Sequence, residues 1–230
     1  MNREELLTNI AEWRERIGNA SAKWGGAEIC GVSKTVDPEI INMAWDGGIR
    51  TLGENRVQEL LGKLDRLRPD YQIHLIGQLQ TNKVKYIIDK VNMIQSLDRE
   101  ALALEIDRRA RAAGLVMPVL VQVNIAREPQ KAGIDEAALL PFIRQLSDME
   151  GLRVEGLMAI MPIAEDPETV RPCFRRMRDW FERLRDMDIP DTHMNVLSMG
   201  MTDDGLVACE EGATMVRLGR ALFGSRAQQN

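Results

Sequence analysis

Apolar and polar positions along this chain fall into two rhythms. From about Arg3 to Ile17 they recur at helical spacing, and Gly18 follows. After it, short apolar runs alternate with longer segments whose apolar residues return every three to four positions, the signatures of buried strands and amphipathic helices. Strands are predicted near Glu28–Ser33, Ile49–Gly53, Ile73–Ile76, Asn92–Gln95, Val119–Val123, Val154–Ile160, Met194–Leu197 and Thr214–Leu218. Between them, Asp37-Pro38 is a helix start ahead of Ile40, Ile41 and Ala44, with Gly47-Gly48 as the stop. Val57, Leu60, Leu61, Leu64 and Leu67 form the next stripe. Asp98 is expected to cap a helix through Leu102 and Ile106, and Asp135 one through Leu139, Phe142, Ile143 and Leu146. Asp166-Pro167 repeats the start signal before Val170, Phe174, Met177, Phe181 and Leu184, while 201–212 supports only a weak helix. Eight strands with helical crossovers predict right-handed βαβ units closing into an α/β (β/α)8 barrel, preceded by one extra N-terminal helix. An open doubly wound sheet is the alternative.

Composition narrows the class. A chain of 230 residues matches one barrel and leaves little for a second full-sized domain, so residues 1–230 are taken as one domain. Lys+Arg 30 against Asp+Glu 35, with 4% aromatic residues, advertises neither a nucleic-acid groove nor a base-stacking platform. Cys30, Cys173 and Cys209 are odd in number and far apart, which fits reduced thiols and a cytoplasmic location. Met1 to Ile10 has no apolar signal region and no stretch is long and apolar enough to span a membrane, so neither secretion nor a membrane partner is expected.

In a parallel barrel the C-terminal strand ends share one mouth, where side chains from different strands can meet one ligand. Those positions are Lys34, Asn55, Gly77, Ser96, Asn124, Met161, Ser198 and Gly219. Alternation puts Cys30, Val32 and Lys34 on one face of the first strand and Met215, Arg217 and Gly219 on one face of the eighth, its neighbour on closure. With both faces inward, Arg217 becomes a fixed cation that, with desolvation, favours a neutral Lys34 amine able to attack a carbonyl. Lys34 otherwise reaches solvent or pairs with an acid. The last two strand-to-helix loops, "LSMGMTDD" and "ATMVRLGRALFGS", suit an anion cradle made by Ser198, Met199, Gly200 and Gly219. Plain turn chemistry competes with that reading. Asp203 and Asp204 lack a third ligand for a metal, so capping is expected and no metal site is assigned. His74 and His193 are expected to pack in the core or at the surface, and for Glu54 and Asn55 capping and ligand binding stay open.

"GVSKT" at 31–35, "GENRVQE" at 53–59, "HLIGQLQTNK" at 74–83, "VQVNI" at 121–125, "GLMAIMP" at 156–162, "LSMGMTDD" at 197–204 and "ATMVRLGRALFG" at 213–224 resemble, in order and over nearly the whole chain, the pyridoxal-phosphate homeostasis proteins. The resemblance implies a fold-type III barrel like the N-terminal domain of alanine racemase, with pyridoxal 5′-phosphate (PLP) carried on Lys34. It also places Ser198, Gly200, Gly219 and, more weakly, Thr214 in phosphate-binding loops, Asn55 near the cofactor ring, and Arg217 facing the pyridine nitrogen. Two stretches depart from the family pattern. Ile73-His74-Leu75-Ile76-Gly77 lacks the usual tryptophan, and Lys131-Ala132-Gly133-Ile134 stands where a "KSGF"-like run is usual. They affect the loops after strands three and five, not Lys34.

The function that follows is intracellular PLP homeostasis: reversible binding and buffering of this form of vitamin B6, with possible delivery to apo-enzymes and an influence on amino- and keto-acid balance. No catalytic residue is assigned and a monomer is expected. A fold-type III racemase or decarboxylase is the alternative, and a Schiff-base aldolase on a sugar phosphate is a third. The enzymes of the second class need a further domain to supply an acid on the opposite face, and only six residues follow Phe223-Gly224.

Overall fold

The computed structural model describes residues 1–224, so the last six positions of the expected 1–230 domain lie outside the described residues. The order of elements is α1 (Arg3–Ser21), β1 (Glu28–Val32), α2 (Pro38–Met43), β2 (Thr51–Glu54), α3 (Val57–Lys63), β3 (Gln72–Leu75), β4 (Met93–Leu97), α4 (Glu100–Ala112), β5 (Met117–Gln122), α5 (Leu139–Leu146), β6 (Leu152–Met158), α6 (Arg171–Arg185), β7 (Thr192–Ser198), α7 (Gly205–Glu210), β8 (Met215–Leu218) and α8 (Arg220–Phe223). The strands form a closed parallel barrel in sequence order. Closure is made by β1 pairing β8 in the register Cys30↔Arg217 while it pairs β2 through Cys30↔Thr51, which rules out the open sheet.

Two of the four predicted start signals, Asp37 and Asp166, accept from the backbone N–H two residues on, whereas Asp135 makes no side-chain cap. Asp37 caps α2 by accepting from Glu39 N, with Pro38 inside the first turn. Asn2 and Glu5 form a reciprocal capping box on α1. Others differ. The first helix runs past Gly18 to Ser21, whose hydroxyl donates to Ile17 O; one interior glycine costs about 1 kcal/mol relative to alanine, less than the buried Leu6, Ile10 and Ile17 return. Asp98 does not cap α4: Arg99 stands at the cap, and Asp98 pairs with it at 2.5 Å. After Asp135 and Asp166 the chain makes a 3₁₀ turn before α5 and α6 begin, and the segment after β3 is a 3₁₀ helix, Thr81–Tyr86.

Strand alternation sorts the residues into two layers. Inside the barrel, Cys30, Ile76 and Met215 pack with Val32 and Val196, and Met93, Leu120 and Met158 form a second group on Val196. The larger core lies between strands and helices, where Leu52, Ile94, Val119, Leu157 and Leu218 meet Ile41, Leu60, Ile106, Ile143 and Phe174. Gly156 allows β6 and β7 to approach: a Cβ there, at φ 146°, would stand 1.9 Å from Val196 O. Among the described residues no helix is long and apolar enough to cross a membrane.

Candidate functional site

Lys34 occupies the turn just beyond β1 and is half-buried. A network of charges on the helix side of the barrel holds that turn. Lys63 Nζ, on α3, donates to Ser33 O at 2.8 Å and to Glu54 Oε1 at 2.7 Å, and the Ser33 hydroxyl donates to the same carboxylate. Glu59 Oε1 accepts from Thr35 N at 2.5 Å and from Lys63 at 3.3 Å. Thr35 has φ 62°, a left-handed conformation unfavourable to a β-branched residue, so the flanking bonds hold the lysine's neighbour in a strained turn. Glu54 is wholly buried; burial raises its carboxyl pKa, against the lowering by Lys63 and Ser33.

Lys34 and Gly219 line one cavity of about 330 Å³, with Val32, Val36 and Phe223 in its walls. The other side of the mouth is built by β7, β8 and the turns that follow them. Gly200 turns at φ 88°, and a Cβ there would meet Ala208 Cβ at 2.5 Å, so the loop runs bare against α7. Met199 is fully buried and its N–H donates to Met215 O at 3.1 Å. Gly219 stands at the start of α8. Asp204 stands before α7, but its carboxylate accepts from Met201 N at 2.6 Å instead of capping the helix, and Asp203 pairs with Arg220 at 3.0 Å across the two loops.

Arg217 lies deeper, in register with Cys30, four residues short of Lys34 along β1. Its Nη1 donates to Ser198 Oγ at 2.7 Å and Ser198 O at 2.9 Å, and its Nη2 to Ala159 O at 2.7 Å. All three acceptors are neutral, so a buried guanidinium keeps its charge with no carboxylate bonded to it, and burial lowers its pKa. Two of its five N–H groups are left over for a ligand acceptor.

The expected site residues therefore separate. Lys34, Gly219, Gly200, Met199 and Asn55 stand around the mouth. Ser198 is fully buried, and its hydroxyl is engaged with Gln95 and Arg217 inside the barrel instead of opening onto the loop. Thr214 precedes β8, at the opposite end of that strand from Gly219; its Oγ1 accepts from Leu197 N at 2.8 Å. A parallel strand sends its first residue to the floor of the barrel, so Thr214 does not join the mouth. Asn55 Oδ1 is buried and has no hydrogen-bond partner, while Gly77 lets the next strand end close on its backbone, where a Cβ would fall 2.2 Å from Asn55 O. Sequence reasoning missed Gln95, Lys63 and Glu59. The signal for Gln95 was a polar residue between Met93 and Leu97 in an apolar strand; Lys63 and Glu59 carry no such signal, since both fall at polar positions between the apolar residues of their helix.

The donor set suits a ligand with a carbonyl, an anionic tail and a ring acceptor: an amine at the wall, glycine turns at one side, and, deeper in the barrel, a guanidinium bonded only to neutral oxygens. Residues 2–227 match the family described as alanine racemase, N-terminal domain. The pyridoxal phosphate homeostasis protein of Aquifex aeolicus (strain VF5) is 44% identical over 98% of this chain and 99% of its own length. The structure of PipY from Synechococcus elongatus PCC7942 with PLP bound superposes with a TM-score of 0.84 at 33% identity, covering 95% of this chain and 100% of that one. Diaminopimelate decarboxylase of Helicobacter pylori shares the fold, with a TM-score of 0.77 at 11% identity, but this chain covers only 62% of it.

Proposed function

From the premise that the chain belongs to the family of pyridoxal phosphate homeostasis proteins, built on the alanine racemase N-terminal domain, we propose that it is a PLP carrier. It holds the cofactor reversibly at the mouth of one domain, residues 1–230, and releases it without turning over a substrate. The observation that carries this reading is Lys34, in a cavity shared with Gly219, above a buried guanidinium whose bonded partners are all neutral oxygens.

When bound, the cofactor supplies an aldehyde for a primary amine and a ring able to draw electrons. Lys34 is the amine that holds it. Gly200 and Gly219 would bring backbone towards the phosphate without intervening side chains, Met199, whose N–H is taken by Met215 O, would hold that turn in place, and Asn55 would offer its buried side chain. Arg217 would offer its remaining N–H groups to the ring nitrogen and has no proton to spare at neutral pH, so that nitrogen would stay unprotonated and the ring a weak electron sink. Ser198 serves the site by holding Arg217.

Three features support binding without turnover. Burial pushes the Cys30 thiol up to about 12 and His74 down to about 4, so neither exchanges a proton near neutrality. The Tyr71 hydroxyl is committed to Ile41 O at 2.7 Å, and Tyr86 is exposed on the 3₁₀ helix after β3. Curated relatives matched end to end are named for homeostasis, not for a reaction. The carrier acts as a cytoplasmic monomer with free thiols, and the acceptors of its cargo are PLP-dependent apo-enzymes.

Absorbance spectra before and after borohydride reduction, with mass mapping, test the assignment. The protein with PLP should be yellow, the reduced adduct should map to Lys34, and Lys34→Ala should be colourless. An adduct on another lysine such as Lys83, or racemisation of L-alanine at an enzyme-like rate, would overturn it.

A further inference from the structure

Four polar side chains cross the barrel interior as one chain of hydrogen bonds, and the chemistry of its members sets its direction. A guanidinium can only donate, so at the Arg217–Ser198 contact of 2.7 Å the hydroxyl oxygen accepts. The hydroxyl hydrogen is then passed to Gln95 Oε1, also at 2.7 Å. The amide nitrogen of Gln95 meets Met215 Sδ at 3.2 Å and His74 Nδ1 at 2.9 Å. A thioether has no hydrogen to give, so the amide nitrogen belongs on that side, and its second hydrogen makes Nδ1 the acceptor. His74 is therefore neutral with its proton on Nε2. Gln95 and Ser198 are fully buried, and His74 and Arg217 nearly so. The four come from β3, β4, β7 and β8, so the chain spans the lumen from wall to wall.

This arrangement removes the freedom of the Ser198 hydroxyl. With Gln95 Oε1 taking its hydrogen, its lone pairs face Arg217, and the guanidinium plane is set by Ser198 on one side and Ala159 O on the other. Without Gln95 the hydroxyl can rotate its hydrogen towards the cation, and Nη1 loses an acceptor. We propose that Gln95 and His74 are positioning residues: acting through Ser198, they hold the Arg217 guanidinium in the one orientation that presents a donor to the ring nitrogen of bound PLP. The proposal rests on the PLP-carrier reading. Neither residue is assigned a contact with the cofactor.

Two measurements separate the proposal from that reading. In the cofactor-free protein, ¹⁵N resonances of the His74 ring should show Nδ1 unprotonated and Nε2 protonated at neutral pH, a preference lost in Gln95→Leu; a protonated Nδ1 in the unsubstituted protein would overturn the chain's direction and the proposal with it. In protein loaded with PLP labelled with ¹⁵N in the ring, the ring nitrogen should resonate as unprotonated, and in Gln95→Leu and His74→Phe it should shift towards the protonated position while borohydride still traps the adduct on Lys34. Gln95→Met, flexible and of similar volume, replaces Gln95→Leu should the latter fail to fold. A lower stability or occupancy with an unmoved ring-nitrogen resonance would reduce both residues to packing and refute the proposal. An unsubstituted protein that takes no cofactor on Lys34 would refute the carrier reading and the proposal together, leaving the His74 tautomer as a fact of the fold.

Discussion

Lys63 is nearly solvent-free and answers a wholly buried carboxylate, so its loss strands a charge. Lys63→Met should cost about 3–5 kcal/mol in urea unfolding, the usual penalty for removing one partner of a buried pair. The pH dependence identifies the cause. A carboxyl whose folded pKa lies above its unfolded value binds more protons in the folded state, so its contribution is present at low pH and is lost as pH rises through the window between the two. Glu54 is already raised with Lys63 present, and the variant should widen that window, recovering stability on acidification. His74 acts in the opposite sense. Its folded pKa of about 4 lies below the ordinary 6.5, so the unfolded chain binds the extra proton and stability falls as pH drops from 6.5 towards 4, by about 3 kcal/mol in all. In unfolding curves taken across that range His74→Phe should flatten the slope. Lys34 was legible in the sequence because it ends an apolar run at a position every barrel uses. Gln95 was not, since an inward polar residue acquires meaning only from the strands opposite.

At the scale of elements, the turn before α7 depends on a residue with no side chain. Gly200→Ala must place a Cβ against Ala208 at a positive φ, and should cost about 2 kcal/mol or more, with α7 displaced and PLP affinity reduced. Gly219→Ala is the comparison: its Cβ would meet Val32 at an ordinary 3.4 Å, so stability should fall by about 1 kcal/mol or less while any loss of PLP affinity reports on the phosphate approach alone. Calorimetric titration of PLP beside chemical unfolding distinguishes the two. Helix starts at Asp37 and Asp166 were legible because capping is local. Asp98 was misread because its neighbour Arg99 offers it an ion pair, which no local rule weighs against a cap.

For the whole molecule, binding to the folded chain alone must stabilise it. PLP at a hundredfold excess over its Kd should add about 2.7 kcal/mol, raising Tm by about 5–10 °C, and Lys34→Ala should lose most of that shift in a thermal melt. Periodicity alone determined the eight-fold alternation, the extra first helix and the strand ends that could hold a ligand, because hydrophobic spacing and caps are properties of neighbouring residues. Closure, and everything that depends on it, was decided in three dimensions. The pairing of β1 with β8 sets Arg217 beside Cys30, below the level of Lys34; closure brings Ser198 on β7 to Gln95 on β4 across the lumen; and strand direction leaves Thr214 on the floor. Those relations join residues up to 187 positions apart, Cys30 and Arg217 among them, and only the register of a closed sheet specifies which of them touch.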